Sequence, residues 1–200
     1  MVENETIKSI KDRRSVRQFT DEPVSDEIVS VLLDAANKAP SAHNQQAWRF
    51  IIVKGDKKTA LAELTARRAM DFPRPAQALL RMAARTITSA PVVVAVTNSG
   101  DLIRHGKELF AGAPTDIHDF FRTMEIQSSA AAVENLLVAA TSLGIGSVWL
   151  GILFLVKDDV MEMLGEPKGE FMAVIPIGKA TRETSGPQKR SLDVVTKELE

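Results

Sequence analysis

The sequence predicts an α+β fold in which helices pack on a small sheet. Helix and strand patterns mix along the chain without regular βαβ alternation. Two runs, PVVVAVT at 91–97 and FMAVIPIG at 171–178, are continuous and apolar, as strands covered on both faces are. No GxGxxG follows the first strand candidate, so a doubly wound dinucleotide-binding fold has no support.

Residues 4–12 suit a short helix capped by Asn4. The next helix runs through VSDEIVSVLLDAANKAP. Ser25 caps it, Asp26 and Glu27 favour its first turn, and Ile28, Leu32, Ala35, Ala36 and Ala39 form its apolar stripe. Pro40 ends it. WRFIIV, 48–53, reads as a strand closed by Gly55-Asp56, and KKTALAELTARRAM returns to helical spacing. The segment 71–90 carries two prolines and several arginines; the expectation is a partly helical flap outside the core. After the strand at 91–97, residues 98–118 read as a long loop with broken helix, a kind of segment that is usually functional. The longest helix candidate spans 119–143. Its second half is apolar almost all round, which marks a central buried helix, and Gly144 is placed to end it. GSVWL reads as a short strand and KDDVMEMLG as a short helix. The polar tail from Lys179 onward is expected to lie along another surface. No internal repeat or domain-scale linker appears, so one domain over 1–200 is expected.

Composition narrows the function. The 200 residues are 44% hydrophobic and 26% charged, with 25 basic and 26 acidic side chains and a net charge of −1. That balance excludes a nucleic-acid binder that relies on bulk charge. With no Cys there is no disulfide, thiolate nucleophile or Cys-ligated metal. Three widely spaced His give no metal-ligand pair. The longest apolar run, at 148–156, falls far short of the roughly 20 residues of a membrane helix. No export signal is visible, and a cytoplasmic protein is expected.

Four clusters could carry chemistry. DRRSVRQF, 12–19, sets Arg13, Arg14, Ser15 and Arg17 close together, a combination suited to phosphate; a solvated helix end would also explain it. PSAHNQQAW, 40–48, holds more side-chain amides than a turn needs. These could match a heterocycle that alternates C=O and N–H, or could satisfy turn backbone. GIGSVWLGIL, 144–153, has three glycines that let backbone approach a ligand, or that serve a helix end and a bulge. PQKR, 187–190, is a second basic patch, or a solvated tail.

Taken together and in this order, RRSVRQF, APSAHNQQAWRFIIV, APVVVAV, AAAVENLLVAATSLGIGSVWLG, MAVIPIGKA and the basic tail resemble the nitroreductase family of FMN-dependent NAD(P)H oxidoreductases. The resemblance implies a mostly antiparallel sheet, a homodimer with FMN at its interface, and a C-terminal arm that crosses to the partner. It assigns Arg13, Arg14 and Ser15 to the FMN phosphate and ribityl chain, and Arg17 to the N1–C2=O edge of the ring. Pro40, Ser41, Ala42, Asn44 and Gln46 would line the flavin of the partner subunit. Leu150, Gly151 and Ile152 would offer backbone to N5 and O4. Lys189 and Arg190 would complete the phosphate site.

Three positions depart from the family pattern: Ala42 replaces a Ser, Gln188 stands where a base is common, and residues 65–90 match poorly. Arg85 is a guess for a flavin contact in that region. The implied activity is two-electron transfer from NAD(P)H through flavin N5 to a nitroaromatic, quinone or other electron-poor acceptor, with ping-pong kinetics. A dehalogenase or flavin-remodelling enzyme of the same fold, and a non-enzymatic flavin-binding protein, are the alternatives. His43 could donate a proton to the acceptor, or could be a plain surface residue. No metal, nucleic acid or membrane partner is expected.

Overall fold

The computed structural model describes residues 3–112, 117–183 and 185–199. Its centre is one four-stranded sheet: β1 (Trp48–Val53), β2 (Val92–Asn98), β3 (Gly146–Ser147) and β4 (Glu170–Gly178), in the order β1-β2-β4-β3 with every pair antiparallel. β2 is buried at every position, as its unbroken apolar run requires. The β2–β4 register slips between Val96 and Thr97, where Thr97 faces Phe171 and Met172 is passed over. This bulge turns Phe171 to the same side as Val174.

Helices cover both faces. On one side Ile51, Val93, Ala95 and Val174 pack with Leu61 of α3 (Gly55–Arg68), Leu80 and Ile87 of α4 (Arg74–Ser89), and Val160 of α7 (Lys157–Met163). On the other, Val94, Val96 and Ile175 pack with Leu32 and Ala36 of α2 (Asp26–Asn37) and with Val133 and Leu136 of α6 (His118–Ser142). The remaining helices are α1 (Glu5–Asp12), α5 (Asp101–Leu109) and α8 (Leu192–Val195). Asn4 caps α1 and Ser25 caps α2, as the sequence predicts. α2 buries Val29 alongside Leu32 and Ala36, while Ala35 is only half-buried.

Three expectations need correction. Residues 74–89 are a regular helix and not a flap. Pro73 and Pro75 sit at its start, where a missing N–H costs nothing, and its arginines occupy the face opposite Leu80, Ala83 and Ile87. Within the expected loop 98–118, residues 101–109 form α5; residues 113–116 lie outside the described residues. The GSVWL strand is only Gly146–Ser147, because the chain then leaves the sheet for a 3-10 helix at Gly151–Val156.

α5 packs on α6 through one close approach. A Cβ on Gly106 would lie 2.0 Å from the Phe121 ring, so only glycine lets that buried ring seat against α5. Among the described residues no helix is long and apolar enough to cross a membrane.

Candidate active site

The basic segment after α1 is held at the β3 edge of the sheet. Ser15 bridges Ser147 in parallel, Val16 N–H donates to the Ser147 carbonyl at 3.0 Å, and Phe19 bridges Ala180. Gly146 makes this possible: a Cβ there would meet three Val16 carbons at 3.0 Å. Two clefts flank the segment. One, of about 680 Å³, is lined by Lys11, Arg13, Arg14, Ser15 and Arg17 and closed by Gly186, Pro187 and Lys189 of the tail. The other, of about 730 Å³, joins Ser15 and Arg17 to Arg85 and Thr86 of α4 and to Thr181 and Arg182. Ser15 and Arg17 therefore belong to both clefts. Arg13 Nε lies 3.5 Å from Glu134 of α6. Arg14 donates to the carbonyls of Lys11 and Arg13 at 2.5 and 2.8 Å, and its stem packs under Gly186. Arg190 is exposed and lines neither cleft.

The amide-rich stretch lies elsewhere. It forms a tight 3-10 turn at Ala42–Asn44, in which His43, Asn44 and Gln46 all hold positive φ, at 53°, 53° and 49°. Left-handed backbone in three non-glycine residues is strained, and such strain gathers at functional sites. Ser41 Oγ accepts from Gln46 N–H at 3.1 Å, and Gln46 Nε2 donates to Asn44 Oδ1 at 2.9 Å. From α6, Ser128 Oγ accepts the Ala42 N–H at 3.1 Å. Beyond the turn, Trp48 Nε1 donates to Asn37 Oδ1 at 3.0 Å.

This turn and the basic segment are not brought together in one chain. Gln46 leads into Trp48, opposite Asn98 at one end of the outermost strand, whereas Ser15 lies beside Ser147, opposite Ile177, which pairs with Val92 at the other end. At about 4.8 Å between strands and about 3.3 Å per residue, these diagonal corners are more than about 20 Å apart.

The glycine segment divides between the two roles weighed for it. Leu150 is buried and its N–H donates to the Val174 carbonyl at 2.9 Å, so it has no N–H to offer a ligand, contrary to the expectation. Gly151 and Ile152 open the 3-10 helix, where the first N–H groups have no acceptor within the helix.

Sequence reading missed the polar residues of α6. Glu125, Ser128 and Ser129 are buried on a largely apolar helix, and each holds a different segment. Glu125 Oε1 accepts the Leu102 N–H at 2.8 Å at the start of α5, Ser128 holds Ala42, and Ser129 donates to Asn98 Oδ1 at the end of β2. Burial pushes the Glu125 carboxyl above its ordinary range, partly offset by backbone N–H groups of Leu102, Ile103 and Gly100. Glu125 Oε2 and Asn98 Nδ2 are buried with no partner. The signal was present as polar letters in an apolar run, but their partners are distant in sequence.

The sequence pattern of the nitroreductase family matches residues 10–179. The chain belongs to the nitroreductase family. A protein of Archaeoglobus fulgidus, provisionally named NADH dehydrogenase/NAD(P)H nitroreductase, is 34% identical over 148 residues, 74% of this chain and 68% of that one. FMN reductase (NAD(P)H) of Bacillus subtilis is 29% identical over 180 residues, 84% of this chain and 62% of that one. Among solved structures, B. megaterium NfrA2 superposes with a TM-score of 0.79 at 26% identity, covering 99% of this chain and 75% of that one. A Desulfovibrio desulfuricans protein in complex with FMN, provisionally named a nitroreductase, gives 0.73 at 26% identity, covering 100% and 99%. The two superposed structures share the fold of this chain.

Proposed function

We propose that the protein is an FMN-dependent NAD(P)H oxidoreductase, a single FMN-binding domain that works as a homodimer and reduces an electron-poor acceptor such as a quinone or nitroaromatic. The observation that carries this reading is the separation of the two motif segments. Each is built for a ligand, yet they occupy opposite corners of one sheet, so a site that uses both takes two copies.

The residues fit FMN. The cleft formed by Arg13, Arg14, Ser15 and Lys189 offers guanidinium, hydroxyl and ammonium donors to a phosphate, with Arg190 close behind in sequence. Arg17, shared by both clefts, would face the N1–C2=O edge in this reading, and Arg85 shares the second cleft with it. A fixed cation there stabilises negative charge on the pyrimidine edge. Pro40, Ser41, Ala42, Asn44 and Gln46 of one copy line the flavin of the other, where the strained turn holds the amides out. Ala42 lacks a hydroxyl, so its contribution is its backbone, fixed by Ser128. Gly151 and Ile152 present N–H groups, and Leu150 supplies shape. When bound, FMN supplies the N5 position that accepts a hydride from nicotinamide and passes it on.

The purified protein is expected to be yellow, to bleach with NADH or NADPH without oxygen, and to regain colour with a quinone. It should sediment as a dimer. Colourless protein that takes up no added FMN overturns the reading. A monomer that holds FMN fully overturns the two-copy site.

A further inference from the structure

A quinone that takes up a hydride becomes a hydroquinonate, and one more proton on its oxygen completes the hydroquinone. The Arg, Lys, Ser, Asn and Gln side chains assigned to the flavin keep their protons near neutral pH, and Lys189 lies in the cleft assigned to the phosphate. The chain has no Tyr and no Cys to provide one.

Imidazole exchanges a proton in the neutral range, and two of the chain's three histidines meet beside the strained turn. His43 and His105 lie far apart in sequence, yet their ring centroids are 5.9 Å apart, edge to face. Both elements are fixed. His43 is held at φ 53° between Ala42 and Asn44 and is exposed. His105 sits on α5, which Gly106 seats against Phe121 and Glu125 holds at its first turn. The Phe121 ring also lies 6.3 Å from His43 and carries the exposed Phe110 and Phe120 rings at 5.6 and 5.0 Å. A planar aromatic acceptor thus has an aromatic rim beside a pair of imidazoles.

We propose that His43, backed by His105, is the proton donor to the reduced acceptor's oxygen. This rests on the two-copy flavin site proposed above. Reduced nicotinamide supplies the hydride, two electrons and one proton. The imidazolium N–H bond of His43 breaks as the acceptor's O–H bond forms, and the neutral imidazole regains its proton from water, directly or through His105. Other ionisable groups on α5 are Asp101, which pairs with Arg104, and the exposed Lys107 and Glu108. On α6, His118 pairs with Asp119, Arg122 pairs with Glu170, and Glu125 turns in to α5.

Two measurements test the proposal. In oxidised FMN-loaded protein without NAD(P)H, titration with duroquinone is expected to move the imidazole NMR signals of His43 and His105 and to leave those of His118 in place. Unmoved His43 signals overturn the proposal. Separately, His43→Asn keeps a residue that tolerates left-handed backbone, so the turn survives. At an unchanged melting temperature, its kcat/KM for duroquinone should fall on the order of 10²-fold near neutral pH and lose the pH dependence of the parent. His105→Gln should move the pH midpoint with a smaller loss. A His43→Asn enzyme that matches the parent at every pH overturns the proton donor alone, whereas a parent that binds no FMN overturns the site on which it rests.

Discussion

At the scale of single residues, the turn at 43–46 shows backbone kept in a costly conformation. Left-handed backbone costs an L residue roughly 1–2 kcal/mol. Gln46→Gly should therefore raise the thermal midpoint by about 2–4 °C, the shift that about 1 kcal/mol produces in a chain of this size. The same change should weaken FMN binding, since the amide is lost; melting curves and fluorescence titration of FMN check both halves. Arg13 makes the complementary case. Its contact with Glu134 is long and partly exposed, so it adds little stability, and its guanidinium borders the basic cleft. Arg13→Ala should leave the melting temperature within a few degrees and weaken FMN binding on the order of 1.5–3 kcal/mol, read by titration.

Among the elements, α6 connects the fold to the site. Its apolar residues fill the core, while Glu125, Ser128 and Ser129 reach out to α5, the turn and β2. Ser128→Ala strands the Ala42 N–H at a cost of about 1 kcal/mol. Faster amide exchange at Ala42 and Gln46, with α2 and β2 unaffected, is the expected signature. Glu125 gives a pH test. Its folded pKa is raised above the ordinary 4.5, so its protonated form contributes stability that is full below that value and is lost as pH rises through the folded pKa. Glu125→Gln should remove that loss, so the melting temperature of the variant gains on the parent as pH rises above 4.5. α4 shows how an element can mislead in one dimension: its arginines and prolines look foreign to a core, but helical geometry gathers them on the outer face and at the first turn.

For the whole molecule, the tail carries the most exposed large apolar side chains among the described residues, Leu199 and Leu192. Leu192, Val194, Val195 and Leu199 are 76%, 65%, 58% and 80% exposed. In the proposed dimer this arm lies on the partner, next to the Gly186–Lys189 segment that closes the basic cleft. Leu192→Glu should weaken both dimerisation and FMN retention, shifting sedimentation toward monomer at micromolar concentration with a matching loss of yellow colour. Unchanged sedimentation would detach the arm from the interface.

The sequence by itself determined the fold class, the two buried strands to within a residue (91–97 and 171–178 against Val92–Asn98 and Glu170–Gly178), the central helix, and the identity of the four polar clusters named from it. Those features are set by local period and composition, which each segment carries alone. Only the tertiary structure decided the rest. The basic segment and the amide turn stand at opposite corners of the sheet, the Leu150 N–H is taken up by Val174, and His105 stands beside His43. Such facts depend on which distant segments share a strand edge or a helix face. That choice is made by packing the whole core at once, so no window of the sequence contains it.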